Sequence, residues 1–302
     1  MKNVIITGAN GFIGSSLIKE LLKRGTRIVA IDISFAASMI PDNDNVIKIE
    51  AGLDDIDYIK KNLPIAGYDA MYHLAWAGVN GAAKADPYIQ LNNIRMGVNC
   101  AVLCREFKVK KLLCAGTVAE QNVKSLDYLE TTTGGMMYGV AKHAAHIIIE
   151  NYCKNVGQPF VWMQFSNIYG IGNKTGNLIS YALNELLTGK DATFGPAEQP
   201  YDFIYINDLL EAVIRLGECK TNCSTYFIGS GQPRILKEYL LRVGELCGMR
   251  EKVCIGARPD DGIKYEKEMF CTSSLVNDIG EYVNITFDEG ISKTIDWFKT
   301  QI

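Results

Sequence analysis

Val4-Ile5-Ile6-Thr7-Gly8-Ala9-Asn10-Gly11-Phe12-Ile13-Gly14 is the stretch from which the rest of the chain is read. The run from Val4 to Thr7 has the composition of a buried strand, and Gly14 to Arg24 follows as a helix. Glycines at 8, 11 and 14 between them permit a tight turn, let backbone N–H groups approach a pyrophosphate, and let the helix pack closely on its strand. A glycine turn in this strand-to-helix context signals a dinucleotide site more strongly than the glycines alone. Asp32 ends the second apolar run, Arg27 to Asp32, close to the ~20-residue offset at which an acid accepts hydrogen bonds from the adenosine ribose. Residues 33–38 contain no Arg or Lys to neutralise a 2′-phosphate, so NAD is expected and NADP is disfavoured.

Working outward, further apolar runs occur at Val46 to Ile49, Ala70 to His73, Lys111 to Ala115 and Phe160 to Phe165. Helical stretches such as Tyr88 to Phe107 and Tyr138 to Asn155 separate them. Strands apolar on both faces that alternate with helices imply a parallel sheet covered on both sides, a doubly wound, Rossmann-like α/β fold. After about Ile168 the connections become longer, glycine-rich and polar, over 170–176 and 189–200. Tyr226 to Gly229 reads as one more buried strand, 251–271 as irregular, and Asp288 to Lys299 as a last helix. The expected division is a dinucleotide-binding domain of residues 1–167 plus about 201–229. A smaller, discontinuous substrate lobe would take about 168–200 plus 230–302.

Composition narrows the function classes. With 48% hydrophobic and 22% charged residues, the 302-residue chain has the balance of a folded globular protein. A net charge of −3 without a Lys/Arg block argues against nucleic-acid and anionic-membrane surfaces. No apolar stretch approaches the ~20 residues of a membrane span, and the N-terminus lacks the pattern of a signal peptide. Nine cysteines with no C-x-x-C spacing read as reduced core thiols, which makes a cytoplasmic location the expectation and a metal site unexpected. Cys100 and Cys104 stand at helical spacing, but the three histidines show no ligand pattern around them.

Tyr138-Gly139-Val140-Ala141-Lys142 sets a phenol and an ammonium at i and i+4, on one face of a helix. The cation stabilises phenolate, which suits the tyrosine to exchange a proton with a sugar hydroxyl or ketone. That spacing recurs by chance; what is specific is its combination with the glycine turn, in this order.

At this point the chain resembles the extended short-chain dehydrogenase/reductase family of nucleotide-sugar epimerases, dehydratases and 4-ketoreductases. The matching segments run nearly end to end: the Thr7 to Gly14 turn, His73-Leu74-Ala75, Asn93, Thr117, Tyr138 with Lys142, Asn167 to Gly170, Tyr201 to Asp208, Arg258 to Asp261, and Gly290 to Trp297. The resemblance implies that NAD is held by Gly8, Asn10, Gly11, Phe12, Ile13, Gly14, Asp32, Leu53, Leu74, Ala75, Trp76 and Asn93, together with Tyr138 and Lys142. It implies that Thr117 hydrogen-bonds the reacting oxygen, Tyr138 is the acid/base, and Lys142 tunes it and binds the nicotinamide ribose. Substrate contacts would come from Thr117, Asn167, Tyr201, Arg258 and Asp261, with the Arg258 guanidinium pairing with a diphosphate.

Departures from the family pattern refine this expectation. Gly52 stands where an Asp often lies near the adenine, Gln121 where a Tyr often follows the catalytic Ser/Thr, and Gln164 and Tyr201 where Arg is common. Val118 and Ala119 replace the acidic pair of the 4,6-dehydratases, which argues against dehydration. His73 is expected to pack at its strand end, and His143 and His146 to be structural for want of carboxylate partners. Trp76 and the Gly78 to Gly81 loop would either border the sugar pocket or simply pack. The leading expectation is a 4-epimerase acting on a nucleotide-diphosphate sugar. An NAD(P)H-dependent 4-keto-6-deoxyhexose reductase is the alternative, and a non-catalytic dinucleotide sensor is disfavoured by the intact Thr117, Tyr138 and Lys142. A homodimer is expected through helices 88–107 and 138–155, because Ala141, Ala144, Ala145 and Ile147 to Ile149 make the second apolar on more than one face.

Overall fold

The structure, a computed structural model, describes residues 1–64, 67–128, 134–260, 262 and 264–301. Seven strands form the central sheet: β1 (Asn3–Thr7), β2 (Arg27–Asp32), β3 (Val46–Glu50), β4 (Ala70–His73), β5 (Leu112–Thr117), β6 (Phe160–Phe165) and, after four short strands introduced below, β11 (Thr225–Ile228). Their order is β11-β6-β5-β4-β1-β2-β3. The pairs β1–β2, β1–β4, β2–β3 and β4–β5 are parallel. Val4, Ile5 and Ile6 are wholly buried, as a strand covered on both faces requires. The chain leaves β1 toward β2 and β3, then returns to the other side of β1 as β4. That reversal is a topological switch point, where open α/β sheets bind ligands at the carboxyl ends of their strands.

The expected doubly wound α/β architecture is therefore present. Its first helices are α1 (Phe12–Lys23), α2 (Ile56–Asn62), α3 (Pro87–Glu106) and α4 (Gly134–Val156). Asp86 caps α3 by accepting from the backbone N–H groups of Tyr88 and Ile89, and Pro87 opens its first turn. Gly97 lets α3 and α4 approach: a Cβ there would lie 2.7 Å from Cδ1 of Ile149.

By contacts the chain forms two compact units, Met1–Gln164 with Ala212–Tyr226, and Phe165–Glu211 with Phe227–Ile302. Segments to which the sequence reading assigned no element hold four more helices, α5 (Leu178–Leu187), α6 (Ile206–Glu218), α7 (Leu236–Cys247) and α8 (Ser273–Ile279), before the expected last helix, α9 (Phe287–Lys299). Asn177 caps α5 through the N–H of Ser180, and Thr286 with Glu289 forms a reciprocal capping box on α9. Three two-stranded pairs complete the second unit. They join β7 (Asn167–Tyr169) to β10 (Phe203–Tyr205), β8 (Ala192–Thr193) to β13 (Val253–Cys254), and β9 (Pro200–Tyr201) to β12 (Arg234–Ile235). Among the described residues no helix is long and apolar enough to cross a membrane.

Candidate active site

A cavity of about 490 Å³ opens at the switch point, at the carboxyl ends of β1, β2, β3 and β4. Gly8, Asn10, Gly11, Asp32, Leu53, Leu74, Ala75 and Trp76 line it, eight residues expected there. Gly8 has a φ of +67° and approaches the next strand's loop so closely that a Cβ would lie 2.6 Å from the backbone N of Ala75. A Cβ on Gly14 would strike the carbonyl of Gly8. Gly11 is the N-cap of α1 with no side-chain cap, and the first turn of α1, where Phe12 and Ile13 stand, has no acid. Its free N–H groups and positive dipole end form a cradle for an anion such as a pyrophosphate. Asp32 accepts from the N–H groups of Asn10 and Ile33, both at 2.8 Å.

Three features of this cavity depart from the sequence reading. Asp32 stands in register with Glu50 on β3, so a second carboxylate lies on the neighbouring strand, where it accepts from the N–H of Phe35. Asp54 lines the cavity, and its carboxylate fills the space a side chain on Gly52 would take, restoring an acid beside the residue that lacks one. Asn93, expected among the cofactor contacts, is buried and spends its amide on Ala77: Oδ1 accepts from Ala77 N at 2.9 Å and Nδ2 donates to Ala77 O at 2.8 Å. It shapes the loop after β4, while Asn92 and Met96 reach the cavity.

The proton-transfer candidates gather nearby in the same unit. Thr117 ends β5, and α4 carries Tyr138 and Lys142 one turn apart. Gly139 brings the helix in, since a Cβ there would lie 2.8 Å from the carbonyl of Ala119. Lys142 is buried and donates from Nζ to the carbonyl of Ala115 at 2.6 Å. Its ammonium also lies 3.7 Å from the Trp76 ring centre and 6.0 Å from that of Tyr138. Burial pushes its pKa down to about 7, against opposing pulls from Glu120 and Cys114. Trp76 meets Tyr138 edge-to-face at 6.1 Å and donates from Nε1 to Gln90 at 3.0 Å, so it both borders the site and packs. Lys84, which no motif marks, places its Nζ 5.0 Å from the Tyr138 ring centre, and burial lowers its pKa.

Behind Thr117 lies a buried polar network that the sequence does not announce. Glu120 accepts the backbone N–H of Thr117 at 2.7 Å, the indole N–H of Trp162 at 3.0 Å and Nε2 of Gln164 at 3.3 Å. Gln121, in the position often held by Tyr, donates to Gln164 Oε1 at 2.8 Å. His146 stacks on Trp162 with ring centres 4.7 Å apart. It does have carboxylate neighbours, contrary to expectation: Glu120 at 3.6 Å and Glu150, one turn on, at 3.5 Å. His73 is packed at the end of β4 as expected, with Nδ1 2.8 Å from Thr7 Oγ1 and 3.4 Å from Cys100 Sγ. Burial, helped by the Lys142 charge, drops its pKa to about 3, and it stays neutral. Burial pushes the Cys100 thiol up to about 12, so this His–Cys pair offers no thiolate.

The substrate candidates other than Thr117 belong to the second unit. Tyr201 and Arg258 line one cavity of about 290 Å³. Arg258 donates from Nε to Thr193 Oγ1 at 2.9 Å and from Nη2 to Tyr181 OH at 2.6 Å, and its guanidinium sits 4.8 Å from the Tyr181 ring centre. Asn167 accepts from Tyr201 OH at 2.9 Å and donates to the carbonyl of Asp202 at 3.2 Å. Asp202 itself is buried against Ser230, and burial raises its carboxyl to about 6. Asp261 lies outside the described residues.

Comparison with known proteins adds four findings. The profile of the NAD dependent epimerase/dehydratase family matches residues 4–229. The CDP-abequose synthase of Salmonella muenchen is 22% identical, over 97% of both chains. Among solved structures, a UDP-N-acetylglucosamine 4-epimerase from Methanobrevibacter ruminantium M1, in complex with UDP-N-acetylmuramic acid, superposes with a TM-score of 0.83 at 21% identity, covering 100% of this chain and 99% of the other. The Thermus thermophilus UDP-glucose 4-epimerase in complex with NAD gives a TM-score of 0.80 at 21% identity, over 99% of this chain and all of the other.

Proposed function

Because this chain belongs to the NAD dependent epimerase/dehydratase family, we propose that it inverts a sugar carbon, C4, of a nucleotide-diphosphate sugar. NAD, when bound, supplies the two-electron acceptor and donor for that carbon. The glycine cradle, the uncapped start of α1 and Asp32 fit a dinucleotide: a cavity walled by backbone N–H groups at one end and a carboxylate at the other. Tyr138 takes the proton of the sugar hydroxyl as that carbon is oxidised and returns it when the carbon is reduced from the other face. Lys142 favours the phenolate and holds the cofactor ribose, and Thr117 hydrogen-bonds the reacting oxygen. Arg258, with Tyr201 and Asn167, binds the nucleotide-diphosphate part.

One observation carries this reading: Lys142 is buried and tied to Ala115, two residues before Thr117, on the helix whose preceding turn presents Tyr138. Epimerisation is favoured over dehydration because Glu120, the nearest acid after Thr117, spends its carboxylate on Thr117, Trp162 and Gln164. The two superposed structures named as 4-epimerases support the same choice. The assembly in this reading is a homodimer formed through α3 and α4.

The test is to incubate the purified protein, without added cofactor, with a panel of UDP-, CDP- and dTDP-linked hexoses and resolve the products. Interconversion of C4 epimers, with NAD released on denaturation, is expected. Consumption of added NADH or NADPH by a 4-keto sugar, with no epimerisation, would replace this reading with that of a reductase.

A further inference from the structure

We propose that Glu120, His143 and His146 form a binding site for one divalent transition-metal ion of the zinc class. Each offers a ligand atom, and the three atoms lie within 4.8 Å of one another. The strongest sign is the state of His146. Its Nε2 lies 3.0 Å from Thr225 Oγ1 and 3.5 Å from a Glu150 oxygen. In the tautomer with its proton on Nε2, donated to Thr225 Oγ1 and turned toward Glu150, the lone pair is on Nδ1. That Nδ1 is buried, has no hydrogen-bond partner among the described residues, and faces Glu120 Oε2 at 3.6 Å. In that tautomer two acceptors face each other across 3.6 Å, a gap too long for a hydrogen bond. Metal–ligand bonds of ~2.0–2.2 Å in a tetrahedral site put neighbouring ligands roughly 3.4 Å apart, close to the 3.6 Å between Glu120 and His146.

The surroundings resemble the outer shell of a metal site. A ligating imidazole is oriented by a hydrogen bond from its other nitrogen to a carboxylate or neutral acceptor, the role Glu150 and Thr225 take here. Trp162 stacks on the His146 ring with its plane tilted by only 2°, which fixes the imidazole. The indole of Trp162 and the amide of Gln164 also hold the Glu120 carboxylate in place. His143, three residues before His146 on α4, stands on the same face of the helix. Three protein ligands leave a fourth position for water, the pattern of an open zinc site. This site is independent of the redox reading, although Glu120 connects it to the backbone of Thr117.

Protein treated with a chelator and desalted should be titrated with Zn²⁺ by calorimetry and with Co²⁺ by visible absorption. One ion per chain is expected, with the d–d bands of tetrahedral cobalt and no thiolate charge-transfer band. His143→Ala should abolish stoichiometric binding while retaining NAD binding and the wild-type circular dichroism. Glu150→Gln, which keeps the shape of the outer contact of His146 but removes its charge and alters the contacts with Ser224 and Lys154, should weaken binding by about tenfold. The proposal is overturned if no stoichiometric ion binds at micromolar concentration. It is equally overturned if His143→Ala binds as tightly as wild type, or if a thiolate band shows that the exposed Cys223 and Cys271 took the cobalt.

Discussion

Tyr138 and Lys142 share one turn of α4, yet only Lys142 is fully buried, and that difference sets two expectations. Tyr138→Phe removes the proton-transfer oxygen alone, so turnover should fall by ~10²- to 10⁴-fold with NAD affinity intact. Activity within about tenfold of wild type would remove Tyr138 from the acid/base role. Folding disfavours the Lys142 charge, lowering its pKa to about 7. From there to the ordinary lysine value near ~10.4 the unfolded chain holds more protons, so this group makes stability rise with pH across that window. Lys142→Met should therefore raise Tm more at about pH 6.5 than at about pH 9.5, and an equal shift at both would contradict a depressed lysine. Asp32, with Glu50 beside it, should make NAD(H) bind more tightly than NADP(H) in calorimetry, and the reverse order would withdraw both the cofactor and the epimerase reading. At this scale the glycine turn, Asp32, Tyr138 and Lys142 were legible because short motifs encode them. Lys84, Asp54 and Glu120 were not, because only tertiary approach brings them to the Tyr138 ring, the space above Gly52 and the N–H of Thr117.

Among the helices, α4 has two apolar faces with different destinies. Ala141, Ala145 and Ile149 are core, whereas Met137, Val140, Ile147 and Ile148 are exposed, the last two by nearly half. The apolar excess read from the sequence is real, but Ile149 belongs to the inner face. On α3, Tyr88 and Leu91 are also exposed large apolar residues. Isologous pairing of these faces predicts a dimer by light scattering at micromolar concentration, and Ile147→Asp with Ile148→Asp should yield monomer with little loss of Tm. A wild-type mass of one chain would defeat the pairing, and a dimer that survives both substitutions would move it to another surface. The helices α5 and α7 went unread although their signals were present. Ile179, Ala182, Leu183 and Leu186 follow the cap Asn177, and Leu236, Tyr239, Leu240 and Val243 precede the left-handed Gly248. The sequence reading assigns these segments no element, and short amphipathic helices are where tertiary burial rather than length supplies the stability.

Over the whole molecule, strand-by-strand alternation made the sheet legible, because strands buried on both faces leave an unbroken apolar record. The sequence division assigns about 201–229 to the dinucleotide-binding domain, and by contacts the narrower segment 212–226 lies in the first unit. All nine cysteines are free, and burial raises the thiols of Cys100 and Cys153 to about 12, with Cys104 and Cys114 also raised. A thiol reagent should therefore label Cys271 first, where hydrogen bonding to Ser273 lowers the pKa, then Cys223. The four buried thiols should react only on unfolding; rapid native labelling of any of them would contradict the packing. The placement of Trp76 has an optical consequence. Of three tryptophans, Trp162 is sealed in the core and Trp297 lies on α9, while Trp76 alone lines the dinucleotide cavity. Its emission is thus a built-in gauge of occupancy: reduced cofactor settling into that cavity will quench it by energy transfer, and a Trp76→Phe protein will show a smaller quench.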